Sequence, residues 1–544
     1  MQGLMQEMPL TVGGIFRRAE TLWPTKQVVT AGPSGLVRTT YGDWAERTRR
    51  LGSALDDLGV SPEGRVATFA WNSARHLELY FAAPCTGRVL HTLNIRLFAD
   101  QLIYIANHAE DEVIFADRSL LPILWPHIDD CKTVRRVIVM DDCGDRPDAA
   151  EVPDDPRVVD YEELIAGARP HPFDTVIDEN TAASMCYTSG TTGDPKGVLY
   201  SHRSVVLHSI GACLADALAV SEADVILPVV PMFHANAWGL CQAAVMAGSK
   251  LVFTGADLSP QAVTNLILGE EVTLAAGVPT IWMAVRPLLA GAQHRLRTVL
   301  CGGSAVPKAL SEAYRREVGL PILQAWGMTE TSPLATVARV RRERQEAAVS
   351  EEELADVRAT VGLPVPLVEL RIAEPDSGTV LPWDDQISGE VQVRGPWIAR
   401  SYYNDDRGAT SFTADGWLRT GDVGAVSPDG YVRLVDRTKD LIKSGGEWIS
   451  SVELENQLMA HPDIAEAAVI AVPSDRWMER PLACVVLKPG ASLTRAEVLE
   501  WLTPRVARWW LPDEVEFVEE IPKTSVGKFS KKDLRDRFGD RRVP

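Results

Sequence analysis

Apolar positions along the chain change their period at short intervals. Over residues 40–60, TYGDWAERTRRLGSALDDLGV, they recur at three- and four-residue spacing and the run ends next to a glycine, which predicts a helix with one buried face. RVATFAWN (65–72) then reads as a strand, HLELYFAAPCTG (76–87) as a helix and RVLHTLN (88–94) as another strand. Further short apolar runs at DEVIFAD, VRRVIVMDD, ADVILPVV and SKLVFTGA continue the alternation. Strands that alternate with helices predict crossover units and parallel sheet.

The texture changes after residue 390. GEVQVRGPWIARSYY and GWLRTGDVGAVSPDGYVRLVDR are rich in strand and turn signals, with Asp-Gly pairs at 415–416 and 429–430. From about residue 437 a compact mixed segment follows. It predicts a helix in SSVELENQLMAH, strands in EAAVIAV, ACVVLK and VEFVEE, and a helix through TRAEVLEWLTPRVARWW. That is enough for a separate small domain. Residues 141–158 are rich in Pro, Asp and Gly and predict a surface loop, and the charged stretch 340–360 predicts an exposed helical excursion.

A chain of 544 residues is too long for one small core, so at least two domains are expected. Its 46% hydrophobic and 24% charged residues are those of an ordinary globular protein. The formal charge of −19 disfavours non-specific binding to nucleic acid and to anionic lipid. The eight cysteines form no CxxC pair and no zinc-ligand spacing, and most sit in apolar runs, so they read as buried free thiols of a reducing compartment. No signal peptide is visible at the N-terminus. The uncharged run Val225 to Ser249 contains Pro228, Pro231, His234, Asn236 and Gln242, and so reads as protein interior and not as an integral membrane segment.

Chemistry is concentrated in a few motifs. YTSGTTGDPKG (187–197) alternates hydroxyls with glycines and adds Lys196, which suits close approach of backbone amides and a cation to phosphate oxygens, although the Walker pattern is absent. GGSA (302–305) follows the strand RTVLC, and QAWGMTE (324–330) offers a flat ring and a hard carboxylate. WLRTGD (417–422) ends on an aspartate that is able to accept two hydroxyls at once. DRTKDLIKSGGEW (436–448) lies where composition places a domain boundary, and PKTSVGKF (522–529) opens a tail with eight basic and three acidic residues.

In this order, over essentially the whole chain, these motifs resemble the adenylate-forming superfamily of acyl-CoA synthetases, nonribosomal adenylation domains and firefly luciferase. VPMFHANAW (230–238), the SEEEL-containing excursion, VGLPVPLVELRI and DLIKSGGEWISSVELE are similar to the bacterial medium- and long-chain fatty acyl-CoA synthetases.

The resemblance implies an α/β fold. A large multi-subdomain N-terminal AMP-binding domain (1–436), with stacked sheets and a small β-rich lobe, would precede a small mobile α+β C-terminal domain (437–544), with a hinge at about 436–440. It implies an ATP- and Mg2+-dependent ligase that converts a medium- or long-chain acid to acyl-AMP and then to the coenzyme A thioester. An aryl or methylthio acid as substrate, or loading of a carrier protein, stays open. The implied nucleotide contacts are Thr188, Ser189, Gly190, Thr191, Thr192, Gly193, Lys196, Gly303, Ser304, Gln324, Ala325, Trp326, Gly327, Thr329, Asp422, Arg437, Lys439 and Lys443. Thr188 and Glu330 would hold magnesium. Trp326 replaces the commoner tyrosine and keeps the ring without the hydroxyl. His234, Ala235, Trp238 and Gly303 would border the acyl group, with Trp238 gating its tunnel. Lys443, Ser444, Gly445, Gly446 and Trp448 would line the path of the thiol. Lys528, Glu330 and His234 would be the catalytic set. The partners implied are the acid, ATP and coenzyme A, with no nucleic acid, and a cytoplasmic homodimer.

Overall fold

The computed structural model describes residues 1–144, 149–188, 194–375, 377–437, 440–444, 447–523 and 529–543. Among the described residues four sheets form. The largest has nine strands in the order Leu363–Pro364, Leu334–Val337, Ile322–Gly327, Thr298–Cys301, Leu274–Gly277, Val225–Pro228, Lys250–Phe253, Gln27–Gly32 and Gly35–Thr40. Its middle is parallel and its two edges are antiparallel. A seven-stranded sheet runs Val158–Asp160, Arg136–Met140, Asp111–Asp117, Arg65–Phe69, Val89–Thr92, Ala182–Tyr187 and Gly197–Ser201, parallel except for the last pair.

Helices fill the space between these sheets, and their sequences show why. Tyr41–Asp57 starts with a capping box, in which the Thr40 side chain accepts from Asp43 N–H and Asp43 accepts from Thr40 N–H. It buries Tyr41, Trp44, Ala45, Thr48, Leu51 and Leu55 along one stripe. Trp44 packs on Phe16 and Phe81 at ring separations of 5.2 and 5.1 Å. Both sheets contribute to this core, through Val28, Ile226 and Leu251 on one side and Val66, Leu90 and Phe115 on the other. The outer faces carry separate cores, around Trp282 and Tyr314 and around Ile105 and Leu124.

The β-rich lobe is a four-stranded antiparallel sheet, Glu369–Ala373, Gly389–Arg394, Leu418–Val426 and Val432–Arg437. Gly416 and Gly430, of the two Asp-Gly pairs, have φ of +84° and +93°, values that favour glycine. The last sheet is built on the long hairpin Ile464–Ser474 and Met478–Leu487. Helices Ser451–Met459 and Arg495–Leu502 cover one face of it and Lys531–Phe538 covers the other.

Two local expectations change. The helix expected through residue 510 stops at Leu502: Thr503 keeps helical φ and ψ of −51° and −44°, but Pro504 brings no N–H to continue the hydrogen-bond ladder, and a single 3-10 turn, Arg508–Trp510, follows. The 340–360 excursion forms two short helices, Arg342–Ala347 and Glu351–Arg358. The second is tied down, with Arg358 bonded to Glu312 at 2.8 Å and Lys308 paired with Asp356. No helix among the described residues is long and apolar enough to cross a membrane.

Candidate active site

A cavity of about 810 Å³ opens at the carboxyl ends of strands Thr298–Cys301 and Ile322–Gly327, the position where open parallel sheets bind ligands. The β-lobe supplies Asp422 and Arg437 to its wall, and Val452, Glu455, Lys531 and Arg535 border it from the C-terminal segment.

Most of the described candidate residues meet here. Thr188, Lys196, His234, Ala235, Trp238, Gly303, Ser304, Gln324, Ala325, Trp326, Gly327, Thr329, Glu330, Asp422 and Arg437 all line the one cavity. Lys443 and Ser444 do not: Lys443 is exposed, and Ser444 is buried with its hydroxyl accepting from Arg480 at 3.0 Å. Ser189, Gly190, Thr191, Thr192, Gly193, Lys439, Gly445, Gly446 and Lys528, and the side chain of Trp448, lie outside the described residues.

The segment 187–197 has a fixed base. Strands Ala182–Tyr187 and Gly197–Ser201 pair antiparallel, Thr188 N–H donates to Lys196 O at 2.9 Å, and Lys196 N–H donates to Thr188 Oγ1 at 3.2 Å. The Lys196 ammonium sits 4.7 Å from the centre of the Tyr402 ring. Tyr402 Oη in turn donates to Glu330 Oε1 at 2.6 Å. Burial pushes the Glu330 carboxyl up, and the Tyr402 hydrogen bond and the charges of Arg437 and Lys196 oppose that shift. Nothing in ARSYYND marks Tyr402 as a site residue, because its partner is 72 positions away.

Around Asp422 the cavity wall is crowded and polar. Trp326 Nε1–H donates to Asp422 Oδ2 at 2.9 Å, and Arg437 Nε lies 3.0 Å from Asp422 Oδ1. The tryptophan that loses the tyrosine hydroxyl therefore brings its own donor, a polar role that the substitution alone does not reveal. Gln324 Oε1 is buried in this wall and has no hydrogen-bond partner among the described residues, so it stands as an acceptor for an exocyclic amine. Gly302 keeps the wall thin: a Cβ there would stand 2.9 Å from Ala325 O and 3.3 Å from the Trp238 ring.

Next to Gly302, at residues 235–238, the backbone is unusual. Ala235, Asn236, Ala237 and Trp238 have φ between +42° and +57°, one turn of left-handed chain that ends at Gly239. Such a conformation costs about 1–2 kcal/mol per non-glycine residue, so its neighbours must hold it. Asn236 does so from inside. Its Nδ2 donates to Ser184 Oγ at 2.8 Å, and its Oδ1 accepts from the Cys186 thiol at 3.0 Å and from Thr92 at 3.3 Å. The turn presents Ala235 and Trp238 to a stretch of wall that also holds Met283, Leu300, Val306, Leu334 and Val361.

Charged and polar contacts hold the C-terminal segment, one pair within it and two reaching residues 436–440. Lys531 Nζ lies 2.7 Å from Glu455 Oε1, Asp436 Oδ2 accepts from Ser451 N–H at 2.6 Å, and Arg535 pairs with Asp440 at 2.6 Å.

The family model described as AMP-binding enzyme matches residues 16–403, and that for the AMP-binding enzyme C-terminal domain matches residues 453–528. The chain belongs to the AMP-binding, adenylate-forming enzymes. A long-chain-fatty-acid–CoA ligase of Thermus thermophilus is 46% identical over 540 residues, 98% of this chain and 96% of that one. A 3-methylmercaptopropionyl-CoA ligase of Ruegeria lacuscaerulensis is 44% identical over 546 residues, 99% of each chain. Among solved structures, ATP-bound MatB from Rhodopseudomonas palustris superposes with a TM-score of 0.82 at 26% identity, over 98% of this chain and 99% of that one. In this chain Thr188, Lys196, Gln324 to Glu330 and Asp422 all line the one cavity.

Proposed function

We propose that this AMP-binding enzyme is a fatty acyl-CoA synthetase. It would activate an acid with an apolar chain by ATP and pass the acyl group to coenzyme A. One observation carries the reading: a polar nucleotide wall and an apolar wall face one cavity, with Thr188, Lys196 and Glu330 lining it too.

A carboxylate is a poor acyl donor. Its oxygen attacks the α-phosphorus of ATP, a new O–P bond forms, the α–β bridging bond breaks, and pyrophosphate leaves. The thiolate of coenzyme A then attacks the acyl carbon of the mixed anhydride, and AMP departs with the oxygen that the acid supplied. The first step is a matter of positioning and charge neutralisation. Asp422 accepts the ribose hydroxyls, Gln324 faces the adenine, Lys196 and the glycine-rich 189–193 segment take the phosphates, and Lys528 stabilises the developing charge. Glu330 and Thr188, a carboxylate and a hydroxyl on the cavity wall, are the hard oxygen donors that would hold magnesium. The ion supplies neutralisation of the phosphate charge. His234 lies by the reacting carboxylate. We assign the thiol path to residues 443–448, opened when the segment 437–544 turns about 436–440 between the two steps. No cysteine acts as a nucleophile: Cys186 and Cys301 are buried, and burial pushes their thiols up.

The apolar stretch of wall selects the acid. It carries no cation among the described residues, so a second carboxylate on the substrate would be buried without a partner, a large cost. A saturated or thioether chain meets no such cost. Chain length is read weakly, since each methylene contributes about 1 kcal/mol. The enzyme works in the cytoplasm as a homodimer, to which the exposed N-terminal residues Met1, Leu4, Met5 and Met8 contribute apolar surface.

The test is a panel of fatty, aryl, methylthio and dicarboxylic acids with ATP, Mg2+ and coenzyme A, following AMP and thioester. Thioester from the medium- or long-chain acids with matched AMP supports the reading. Preference for the methylthio acid moves the enzyme to the second reading, which the Ruegeria relative favours. AMP formation without thioester points to carrier loading and overturns the coenzyme A step.

A further inference from the structure

Asp422 and Trp326 belong to different sheets, 96 positions apart, yet the indole N–H is aimed at one carboxylate oxygen at 2.9 Å. The other oxygen faces Arg437 Nε at 3.0 Å, and the two residues are ladder partners, Asp422 opposite Arg437. The Asp422 side chain is only 7% exposed and lines the cavity, so the cavity is where a ligand reaches its remaining acceptor positions. An ionised carboxylate has about four acceptor positions. One on each oxygen is taken, which leaves one on each for the cavity.

An arginine beside an aspartate ordinarily takes both oxygens with its planar fork. That arrangement would consume the acceptors a vicinal diol needs. The indole is a donor only and is held in the strand Ile322–Gly327, so it competes for Oδ2 and keeps Arg437 on Oδ1. We infer that Trp326 is a positioning residue for sugar recognition: by holding Asp422 against bidentate pairing with Arg437, its N–H makes the site selective for the 2′,3′-diol of a ribonucleoside triphosphate over deoxy analogues. The inference rests on the assignment of Asp422 as the ribose acceptor.

The experiment compares kcat/KM for ATP, 2′-deoxyATP and 3′-deoxyATP at saturating acid and coenzyme A, in the wild type, Trp326→Phe and Asp422→Ala. Trp326→Phe keeps an aromatic face for the base and removes only the donor. It is expected to reduce the preference for ATP about five- to tenfold, with the KM for the acid unchanged and the deoxy substrates nearly unaffected. Asp422→Ala is expected to abolish the preference. If Asp422→Ala retains the wild-type preference, the assignment of Asp422 fails and the inference with it. If Asp422→Ala loses the preference while Trp326→Phe lowers all three nucleotides by one factor, Trp326 only stacks and the inference alone is overturned. Should Trp326→Phe fold poorly, benzothienylalanine at position 326 keeps the indole shape with sulfur in place of N–H, and the same ratio decides.

Discussion

The two sides of the cavity are made rigid by different means. Around Asp422, which we propose as the nucleotide wall, the order rests on side-chain hydrogen bonds: Trp326 and Arg437 each occupy one oxygen of Asp422. Around Trp238, which we propose as the acyl wall, it rests on shape: a left-handed turn from Ala235 to Trp238 sets an indole against Gly302, and Asn236 holds the turn through Ser184 and Cys186, both buried. A hydrogen-bonding site rejects a ligand that lacks one hydroxyl strongly, whereas an apolar wall rejects one methylene weakly. The contrast fits an enzyme that uses one nucleotide and a range of acids.

If the walls are independent, damage to one moves constants for one substrate only, and damage at their junction moves the chemical step. The largest effect belongs to the lysine proposed for the chemical step. Lys528→Ala should lower adenylation about a thousandfold or more, while thioester formation from supplied acyl-adenylate survives. Equal loss of both half-reactions in a folded variant would remove the lysine from the first step. Next comes Asp422→Ala. Loss of charge-assisted hydrogen bonds of about 1.5–3 kcal/mol predicts an ATP KM raised roughly tenfold or more, with acid selectivity unchanged.

Trp238→Ala should do the converse. The rank order of kcat/KM across acids of increasing length changes by a few fold while the ATP KM stays, and a uniform factor for every acid would make Trp238 packing and not a gate. Asn236→Ala leaves buried partners of the left-handed turn unpaired and should cost about 1–3 kcal/mol in denaturant unfolding, with acid use lowered more than ATP use. A variant as stable as wild type would show that the turn needs no such anchor.

A separate effect concerns pH. Glu455 is buried, which pushes its carboxyl up to about 7, against the pull of Lys531 and of Val469 N–H at 2.8 Å. A folded-state value above the unfolded one means that the native state holds the proton more tightly. Its contribution is present below about pH 4.5 and lost as pH rises through 7. The stability of wild type relative to Glu455→Gln should therefore fall by about 1–3 kcal/mol between pH 5 and 8. A pH-independent difference would contradict it.

Much of this was legible in the chain. Strand and helix periods announced crossover units and parallel sheet, the resemblance implied the stacking of sheets, the Asp-Gly pairs announced the lobe's turns, and the ordered motifs announced most of the described residues that meet at the cavity. What was hidden depends on contacts between distant residues. No local signal tells that the Trp326 N–H finds Asp422 or that Tyr402 finds Glu330. The Ala-Asn-Ala-Trp segment carries no glycine until Gly239, so its left-handed backbone follows from Asn236 bonding to Ser184 and Cys186 of another strand. Lys443 and Ser444 do not line the cavity, although Asp436, Arg437 and Asp440 of the same motif do.

The central claim is that a carboxylic acid and ATP react in this cavity before any thiol is present. Acid-dependent exchange of labelled pyrophosphate into ATP measures that step alone. With Mg2+ and a medium- or long-chain acid, and without coenzyme A, the account predicts rapid exchange that stops when the acid is omitted. Exchange that is absent, or that appears only when coenzyme A is added, would contradict it.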